Sequence, residues 1–245
     1  MAAFLFGPLG GMVPLKVSRG VTDSPARTMS ELVTSGGVRY VQRGRRAPRT
    51  WQVGRAYEGP GWAALLADAA HGLLGQCWLY DVAAARENMV PAEKSAGVGL
   101  PVLVDGRPMG ALPVGHAVTV QVLAGRTYTV SLWSAAAAGS TVASFLRSPN
   151  LLALVKAPPG TGSRSCAASF TPLADGVVTV TVSAGGASGL RVHEGGPDGR
   201  FFSGHGTPCK VAVQDPQRTL ELVVDRETRS AYQVTLMEVG KPGTV

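Results

Sequence analysis

The sequence predicts a mainly β protein, and three observations lead to that fold class. Gly (32) and Pro (17) together make up about a fifth of the 245 residues, and a helical bundle would not tolerate that density of helix breakers. These residues stand between short runs rich in Val and Leu, as turn residues do in antiparallel sheets. Hydrophobic residues make up 45% of the chain, which is enough to build a substantial core.

The first domain is expected to begin with strands and to resemble a β-sandwich or barrel. A strand is predicted to begin near Met12, and residues 18–35 are polar and loop-like. Period-2 alternation in Arg39–Arg43 and Thr50–Arg55 predicts two strands. We expect them to pair with each other, because the residues between them, 44–48, favour a turn.

A helix over about residues 62–74 is predicted by apolar residues that share one face of a 3.6-residue period: Trp62, Leu65, Leu66, Ala69 and Leu73. Gly72 and Gly75 mark the end of this helix. An extended pattern then returns in Gln76–Val82, and Pro91 closes the module. The expected division of the chain is therefore residues 1–94, with one amphipathic helix, and residues 95–245.

Residues 95–245 are expected to form an antiparallel β-sandwich of the jelly-roll type. Short strand candidates recur about every ten residues, with turn signals such as Asp105-Gly106 and Asp175-Gly176 between them. Whether they form one sandwich or two smaller ones stays open. The candidates are Pro101–Val104, Val118–Val122, Thr127–Trp133, Leu151–Val155, Cys166–Phe170, Val177–Val182, Leu190–His193, Lys210–Val213, Thr219–Val224 and Tyr232–Glu238. Within Thr127–Trp133, alternation directs either Tyr128, Val130 and Leu132 or Trp133 toward the core.

Charge and hydropathy argue against nucleic-acid and membrane partners. The formal net charge is +7, which permits nucleic-acid binding, but the basic residues are spread along the chain rather than clustered in one domain. The N-terminus is apolar, carries no side-chain positive charge before Lys16 and is interrupted by Pro8, which argues against a signal peptide. No apolar run approaches the length of a membrane span. We expect a soluble protein made in the cytoplasm.

No catalytic, cofactor-binding or metal-binding residues are expected. Residues 157–164 echo a phosphate-binding loop but lack its Lys and do not lead into a helix. The carboxylates Asp225 and Glu227 stand beside arginines, as in an exposed charged turn. The local cluster that comes nearest to a metal site is His193, Glu194, Asp198 and His205 in a Gly-rich stretch, and a plain surface loop is the preferred interpretation.

Three cysteines at wide spacing, Cys77, Cys166 and Cys209, do not form a disulfide framework or a zinc motif. Reduced, packed thiols are the preferred interpretation. A bond between Cys166 and Cys209 stays open, because neighbouring strands could bring the two together.

Four segments of the first domain resemble the N-terminal domain of phage distal tail proteins, which form the ring between tail tube and tail tip. They are Phe6-Gly7-Pro8-Leu9, Arg49–Val53, Trp62–Leu74 and Gly75–Asp81. Asn88–Pro91 resembles the boundary after which minor tail proteins of actinobacterial siphophages append a β-sandwich. The second domain is similar to the carbohydrate-binding-like sandwiches of such proteins in four segments: Thr127–Trp133, Ser169–Thr171, Val177–Val182 and Tyr232–Leu236.

The resemblance implies a structural, non-enzymatic component of the virion tail tip, assembled in the host cytoplasm. It implies a homo-oligomeric ring, a hexamer or trimer, with the tail tube protein and the tail-tip hub proteins as partners. The alternative function is a glycan-binding module that adheres to host cell-wall polysaccharide. In that case the candidate contacts are the aromatic residues Trp133, Phe201 and Phe202.

The candidate intersubunit contacts are the arginines Arg39, Arg43, Arg45, Arg46, Arg49 and Arg55, with residues 1–20 as a second candidate. The arginines lie in a stretch without an acidic residue between Glu31 and Glu58. They could dock an acidic rim of a neighbouring subunit, or their stems could cover apolar surface in a solvated hairpin. Trp51, Trp78 and Trp133 are expected to be core or interface anchors, and Trp62 is expected to hold the helix against the sheet.

Overall fold

The computed structural model describes residues 4–8, 10–15, 21–24, 27–33, 39–46, 49–58, 60–97, 99–147, 150–201, 204, 209–224 and 227–239. The strands in these ranges are β1 (Phe4–Gly7), β2 (Val13–Leu15), β3 (Val21–Ser24), β4 (Arg27–Val33), β5 (Arg39–Arg46), β6 (Thr50–Glu58), β7 (Cys77–Asp81), β8 (Pro101–Val104), β9 (Arg107–Gly110), β10 (Ala117–Val122), β11 (Tyr128–Ser134), β12 (Thr141–Arg147), β13 (Asn150–Lys156), β14 (Arg164–Phe170), β15 (Gly176–Val182), β16 (Ser188–Glu194), β17 (Cys209–Val224) and β18 (Glu227–Glu238). The helices are α1 (Pro60–Ala70), α2 (Val82–Glu87) and α3 (Ala92–Ser95). The mainly β fold class with antiparallel sheets is confirmed.

A seven-stranded antiparallel sheet is built from both ends of the chain. Its strand order is β2-β1-β7-β17-β18-β6-β3. The C-terminal hairpin β17–β18 therefore occupies the middle of the sheet: β17 pairs with β7, and β18 pairs with β6. Without this hairpin, the group β2-β1-β7 would share no ladder with the group β6-β3.

This topology differs from the expected division at residues 94 and 95. The strands β17 and β18 belong to the sheet of the N-terminal strands, so residues 95–245 are not one separate sandwich. The sandwich is inserted between α3 and β17. Local alternation predicts that a segment is a strand, but it carries no information on which distant strand completes its hydrogen bonds.

The inserted sandwich consists of a four-stranded sheet, β10-β15-β12-β13, and a three-stranded sheet, β14-β11-β16. Valines that alternate along β10 and β15 point into its core, where they meet the apolar face of β11. Tyr128, Val130 and Leu132 are fully buried there, so the first of the two predicted orientations is confirmed. Phe145 and Phe170 fill the centre, with ring centroids 4.7 Å apart.

Strand β7 is shared by two cores. Cys77 and Leu79 face the core beneath α1, which we call the helix core, together with Phe6 of β1. Tyr80, which follows Leu79 and points to the opposite face of the sheet, belongs to the core of the inserted sandwich, which we call the sandwich core. Successive side chains of a strand point to opposite faces, so one strand serves both cores.

The predicted helix is confirmed, although it ends at Ala70 rather than near residue 74. Leu66 is buried against the sheet, and Trp62 packs there in part, as expected for a residue that holds the helix in place. Gly72 and Gly75 have φ of +74° and +67°, which glycine adopts at low cost. They form the turn that follows the helix.

Several strand pairings differ from the expected ones. β5 pairs with β4 rather than with β6, and the segment 18–35 contains β3 and β4 rather than a loop alone. β12 has no counterpart among the candidates, because its ladder shifts register beside Ala143 and the period-2 pattern is lost.

The two strand candidates at 210–213 and 219–224 form one strand, β17. Its ladder with β18 shifts register between Gln214 and Gln217. Pro216 therefore lies at an irregularity inside a strand, where proline is tolerated, rather than in a loop between two strands.

Candidate assembly surfaces and the buried polar junction

The structure places most of the candidate arginines on two strands of different sheets. Arg39, Arg43, Arg45 and Arg46 lie on β5, in the two-stranded ribbon with β4, whereas Arg55 lies on β6 of the seven-stranded sheet. The side chains of these five residues lie outside the part of the chain that the structure describes. Their docking role stays a prediction.

Arg49 is not an exposed docking residue, which corrects the expectation for this position. It is 4% exposed, and its backbone N–H donates to Glu238 Oε2 at 2.9 Å. Its Nε lies 3.7 Å from the same oxygen. The guanidinium also stacks over Trp51, 5.0 Å from the ring centroid. A buried cation held by a carboxylate and a ring joins the start of β6 to the end of β18.

Trp133 does not offer an open face for a sugar. It is 7% exposed and packs edge-on against Phe201, with ring centroids 6.1 Å apart. Stacking on a sugar requires an exposed ring face, so the expectation of a glycan contact at Trp133 is wrong for this conformation. Phe202 lies outside the described residues. Trp51 and Trp78 are buried too. Trp51 belongs to the helix core, whereas Trp78 and Trp133 are buried outside both hydrophobic cores.

A buried polar network joins the seven-stranded sheet to the sandwich. We call it the Tyr80 junction, formed by Tyr80, Tyr128, Glu194 and Arg126. The Tyr80 hydroxyl lies 3.1 Å from the Tyr128 hydroxyl and donates to Glu194 Oε2 at 2.8 Å. Arg126 Nη1 donates to both oxygens of Glu194, at 3.0 and 2.8 Å. Strands β7, β11 and β16 thus each contribute a residue to one satisfied network.

Burial governs the protonation of the two tyrosines. Burial, followed by the neighbouring Tyr128 hydroxyl and the Glu194 carboxylate, raises the pKa of Tyr80. Burial also raises the pKa of Tyr128, whose hydroxyl accepts a bond from the Leu123 N–H at 2.9 Å. Both phenols are therefore neutral at physiological pH. They serve as hydrogen-bonding groups rather than as bases or nucleophiles.

A second buried contact is centred on Asn88, in the segment that follows α2. Its Oδ1 accepts from the N–H groups of Val90 and Val192, at 2.9 and 3.2 Å. Its Nδ2 donates to Ser95 Oγ at 3.2 Å and to the Leu190 carbonyl at 3.4 Å. One fully buried amide thus ties the connection between the sheet and the sandwich to β16.

Arg191 of β16 fixes the segment that follows this strand. It is 1% exposed and pairs with Asp198, and it also donates to the carbonyls of Arg86, Glu87 and Arg200. The hydrogen bond from Arg191 lowers the pKa of Asp198 to about 2. The buried cation thus holds the 198–200 segment against α2.

His193 lies on the same strand, 2% exposed. Its Nε2 is 3.1 Å from the Gly196 carbonyl, whereas its Nδ1 has no hydrogen-bond partner in the part of the chain described. Burial lowers the pKa of His193, and the nearby Arg191 lowers it further. A neutral imidazole that donates to Gly196 fits this site.

Helix α1 leaves apolar surface exposed on both of its flanks. Of its eleven residues only Asp68 is polar, and a helix that is apolar nearly all round is typical of one covered on more than one side. A groove of about 390 Å³ runs along one flank, lined by Val13, Pro14, Gly61, Trp62 and Leu65. A second groove of about 300 Å³ is lined by Ala63, Ala64, Leu66, Ala67, Pro216 and Tyr232.

The described residues contain no cluster of His, Cys, Asp and Glu that could hold a metal ion. His205 and Asp225 lie outside them. Cys77 and Cys166 are free and buried, so the open question of a bond between Cys166 and Cys209 is answered for Cys166. In the ranges that the structure describes, no helix has the length and apolar character of a membrane span.

Sequence reasoning missed the residues that join the two parts of the molecule: Tyr80, Tyr128, Glu194, Arg126, Asn88 and Arg191. A partial signal exists for Tyr80, since it lies in the aromatic run Cys77–Asp81. Arg191 stands between Leu190 and Val192 in a predicted strand, but charged residues are almost never fully buried, so its burial was not expected.

No protein-family model matches the chain, and no match was found among curated proteins or among solved structures.

Proposed function

We propose that this protein is a structural, non-enzymatic subunit of a phage tail tip, of the distal tail or minor tail type. In this proposal, copies of the chain close into a ring that links the tail tube to the tail-tip hub proteins. The inserted sandwich decorates the ring. The protein is assembled into the virion in the host cytoplasm.

One observation carries the proposal. The segments whose sequence resembles distal tail proteins are far apart in the chain, yet they come together in one sheet and the helix that covers it. Phe6 and Gly7 lie on β1, Thr50–Val53 lies on β6, and Cys77–Asp81 forms β7. Similar segments that assemble into one structural unit support the proposal more strongly than similar segments scattered over the fold would.

The apolar flanks of α1 supply a surface for the ring contact. A ring requires that one patch of each copy bind a different patch of the next. The two grooves beside α1 lie on opposite flanks of an almost uncharged helix, and interface centres are depleted of charged residues. We propose that the next subunit covers the Ala64 flank.

The test is electron microscopy of the purified protein together with proteomics of purified virions. The expected result is closed rings of three or six copies, and the protein among the virion components. Ala64→Glu, on the exposed side of α1, is expected to abolish the rings because it places a charge in the contact. Ala83→Glu, at an exposed position of α2, is the matched control and should leave rings intact. Monomers at every concentration, with the protein missing from virions, would refute the proposal.

A further inference from the structure

Three Asp-Gly pairs occur in the chain, at residues 105–106, 175–176 and 198–199. In such a pair the backbone nitrogen of the glycine is unhindered, because no side chain stands beside it. This nitrogen can attack the aspartate carboxyl and close a five-membered ring. The three pairs have very different surroundings, which decide where this reaction can occur.

The Asp175 carboxylate is fully engaged. Its Oδ2 accepts from the Gly10 N–H at 3.1 Å, and its Oδ1 accepts from the Ala124 N–H at 2.7 Å. The Arg147 guanidinium donates to the backbone carbonyl of the same residue at 3.0 Å. Gly176 begins β15, which lies between β10 and β12. Ring closure here would break two hydrogen bonds of the carboxylate and disturb a central strand.

The Asp198 carboxylate is held by an arginine. Arg191 donates to both of its oxygens, and the Arg200 N–H donates to Oδ1 at 3.1 Å. The hydrogen bond from Arg191 lowers the pKa of Asp198 to about 2, so this carboxyl is ionised at physiological pH. A carboxylate that is ionised and accepts charge-assisted hydrogen bonds is a poor electrophile.

Asp105 and Gly106 form the two-residue turn of the β8–β9 hairpin, between the paired residues Val104 and Arg107. Both turn residues are exposed. Within the part of the chain that the structure describes, no group donates a hydrogen bond to the Asp105 carboxylate. A side-chain carbon placed on Gly106 would have no neighbour within 4 Å. The carboxyl and the Gly106 nitrogen therefore have room to meet, and water has access to both.

The backbone of this hairpin is also easy to distort. Asp105 has a φ of +49° and is the one non-glycine residue of the described chain with a positive φ, a conformation that aspartate tolerates at some cost. The hairpin consists of four residue pairs and shares no ladder with another described strand. Two-stranded ribbons of this kind are marginally stable by themselves. Local opening therefore requires little free energy, and it frees the turn to reach the geometry of ring closure.

We infer that the Asp105-Gly106 turn is a site of spontaneous isomerisation to isoaspartate, with water as the only co-reactant. The Gly106 nitrogen bonds to the Asp105 Cγ, and the carboxyl hydroxyl leaves with the amide proton as one molecule of water. Water then opens the ring. Attack at Cγ restores the aspartate, whereas attack at the backbone carbonyl carbon leaves the chain linked through the side chain.

Isomerisation places one extra carbon atom in the backbone of the turn. A two-residue hairpin turn of this type requires a positive φ at both central residues, and Gly106 also has one, +74°. A residue linked through its side chain does not reproduce this turn, so the Val104–Arg107 pair beside it should open first. The inference does not depend on the proposed tail function.

Storage of the purified full-length chain in mildly acidic buffer tests the inference. Peptide mapping by mass spectrometry, with fragmentation that distinguishes isoaspartate from aspartate, reports each pair separately. We expect isoaspartate at position 105 to accumulate at least about tenfold faster than at position 175 or 198, a ratio equivalent to about 1.4 kcal/mol in the barrier. In water enriched in heavy oxygen, the isoaspartate formed should carry the heavy isotope.

Two controls separate the effect of the fold from that of the sequence. In urea the surroundings of the three pairs become alike, so their rates should converge. Asp105→Glu keeps the charge but would have to close a larger ring, so it should abolish isomerisation at position 105 and leave the rates at 175 and 198 unchanged.

Equal rates at the three pairs in the folded chain would overturn the inference, as would faster conversion at position 175 or 198. It would also be overturned if position 105 stayed unconverted in the folded chain over a period in which the chain in urea reacts.

Discussion

The helix core and the sandwich core are built in opposite ways. The sandwich core is supplied mainly by strands that follow one another between residues 117 and 194, and most of its residues are completely buried. The helix core combines residues 4–79 with residues 211–236 and is covered on one side by a single helix with open flanks. The sandwich core is dense, and most of its residues come from neighbouring strands of the sequence. The helix core is thin, and its residues come from distant segments.

This difference shows how the molecule can hold two unequal cores in one folding unit. Strand β7 lies between them, with Leu79 in the helix core and Tyr80 in the sandwich core. The thin core is supported by a strand whose other face is anchored in the dense core. We therefore expect a single cooperative unfolding transition rather than two.

The largest expected change in the free energy of unfolding comes from substitutions that compare the two cores directly. Phe145→Ala removes a fully buried ring that packs on Phe170 and should lower the free energy of unfolding by about 3–5 kcal/mol. Leu66→Ala, beneath the open-flanked helix, should cost about 2 kcal/mol, the low end for a buried leucine. Urea unfolding followed by circular dichroism and by tryptophan fluorescence should report one shared midpoint for each variant. Two separate transitions would contradict the shared role of β7.

The Asn88 contact provides the second test. Asn88→Ala leaves the buried N–H groups of Val90 and Val192 without their acceptor, so we expect a loss of about 2–3 kcal/mol. Asn150→Ala, at an exposed position of β13, is the control and should change stability by less than about 0.5 kcal/mol. Equal effects of the two substitutions would show that the buried amide does not secure the connection.

The Tyr80 junction is expected to contribute less to the free energy of unfolding, because its other members keep hydrogen-bond partners when one hydroxyl is removed. Tyr80→Phe should cost about 1–2 kcal/mol, since Glu194 retains Arg126 and Tyr128 retains the Leu123 N–H. A double-mutant cycle with Glu194→Gln measures the coupling across the two parts. We expect an interaction of at least about 0.5 kcal/mol, and strict additivity would exclude the network as a link.

The smallest expected effect is the dependence of the free energy of unfolding on pH. Burial keeps the pKa of His193 below its ordinary value of about 6.5, so the unfolded chain takes up a proton at a higher pH than the folded one. The free energy of unfolding should therefore fall as the pH drops below about 6.5, until the folded pKa is reached. His193→Gln should flatten this slope, and His71→Gln, at an exposed position, should not. An unchanged slope in His193→Gln would show that the histidine is not the titrating group.

Asp198 affects the free energy of unfolding in a separate, more acidic pH range. Its pKa is held at about 2, so the stability it adds is present above its ordinary pKa of about 4 and is lost as the pH falls toward 2. Measurements between pH 5 and 7 therefore report His193 without interference from this carboxylate.

The sequence was sufficient for features that depend on local periodicity. The strands β10, β11 and β15 follow from alternation, which left two orientations of β11 open, and α1 follows from its apolar face. The pairing of β5 with the adjacent β4 was not predicted because the polar segment 18–35 indicates a loop. The insertion of the sandwich could not be predicted, since hydrogen-bond pairing between distant segments leaves no local pattern. The buried position of Arg49 was missed for the same reason, because its partner Glu238 is 189 residues away.

The central position of the β17–β18 hairpin has a consequence for biosynthesis. A ribosome completes the sandwich strands before it delivers residues 209–238, so the emerging chain can fold its insert first. Until then β6 and β7 lie in separate groups, and the Trp51 and Val53 positions lack their pairing partners Leu236 and Val234. A chain cut short at its C-terminus would therefore carry a finished sandwich on an unfinished, aggregation-prone half-sheet. The strands β17 and β18, which are made after the sandwich, thus decide whether β7 and β6 are joined in one sheet.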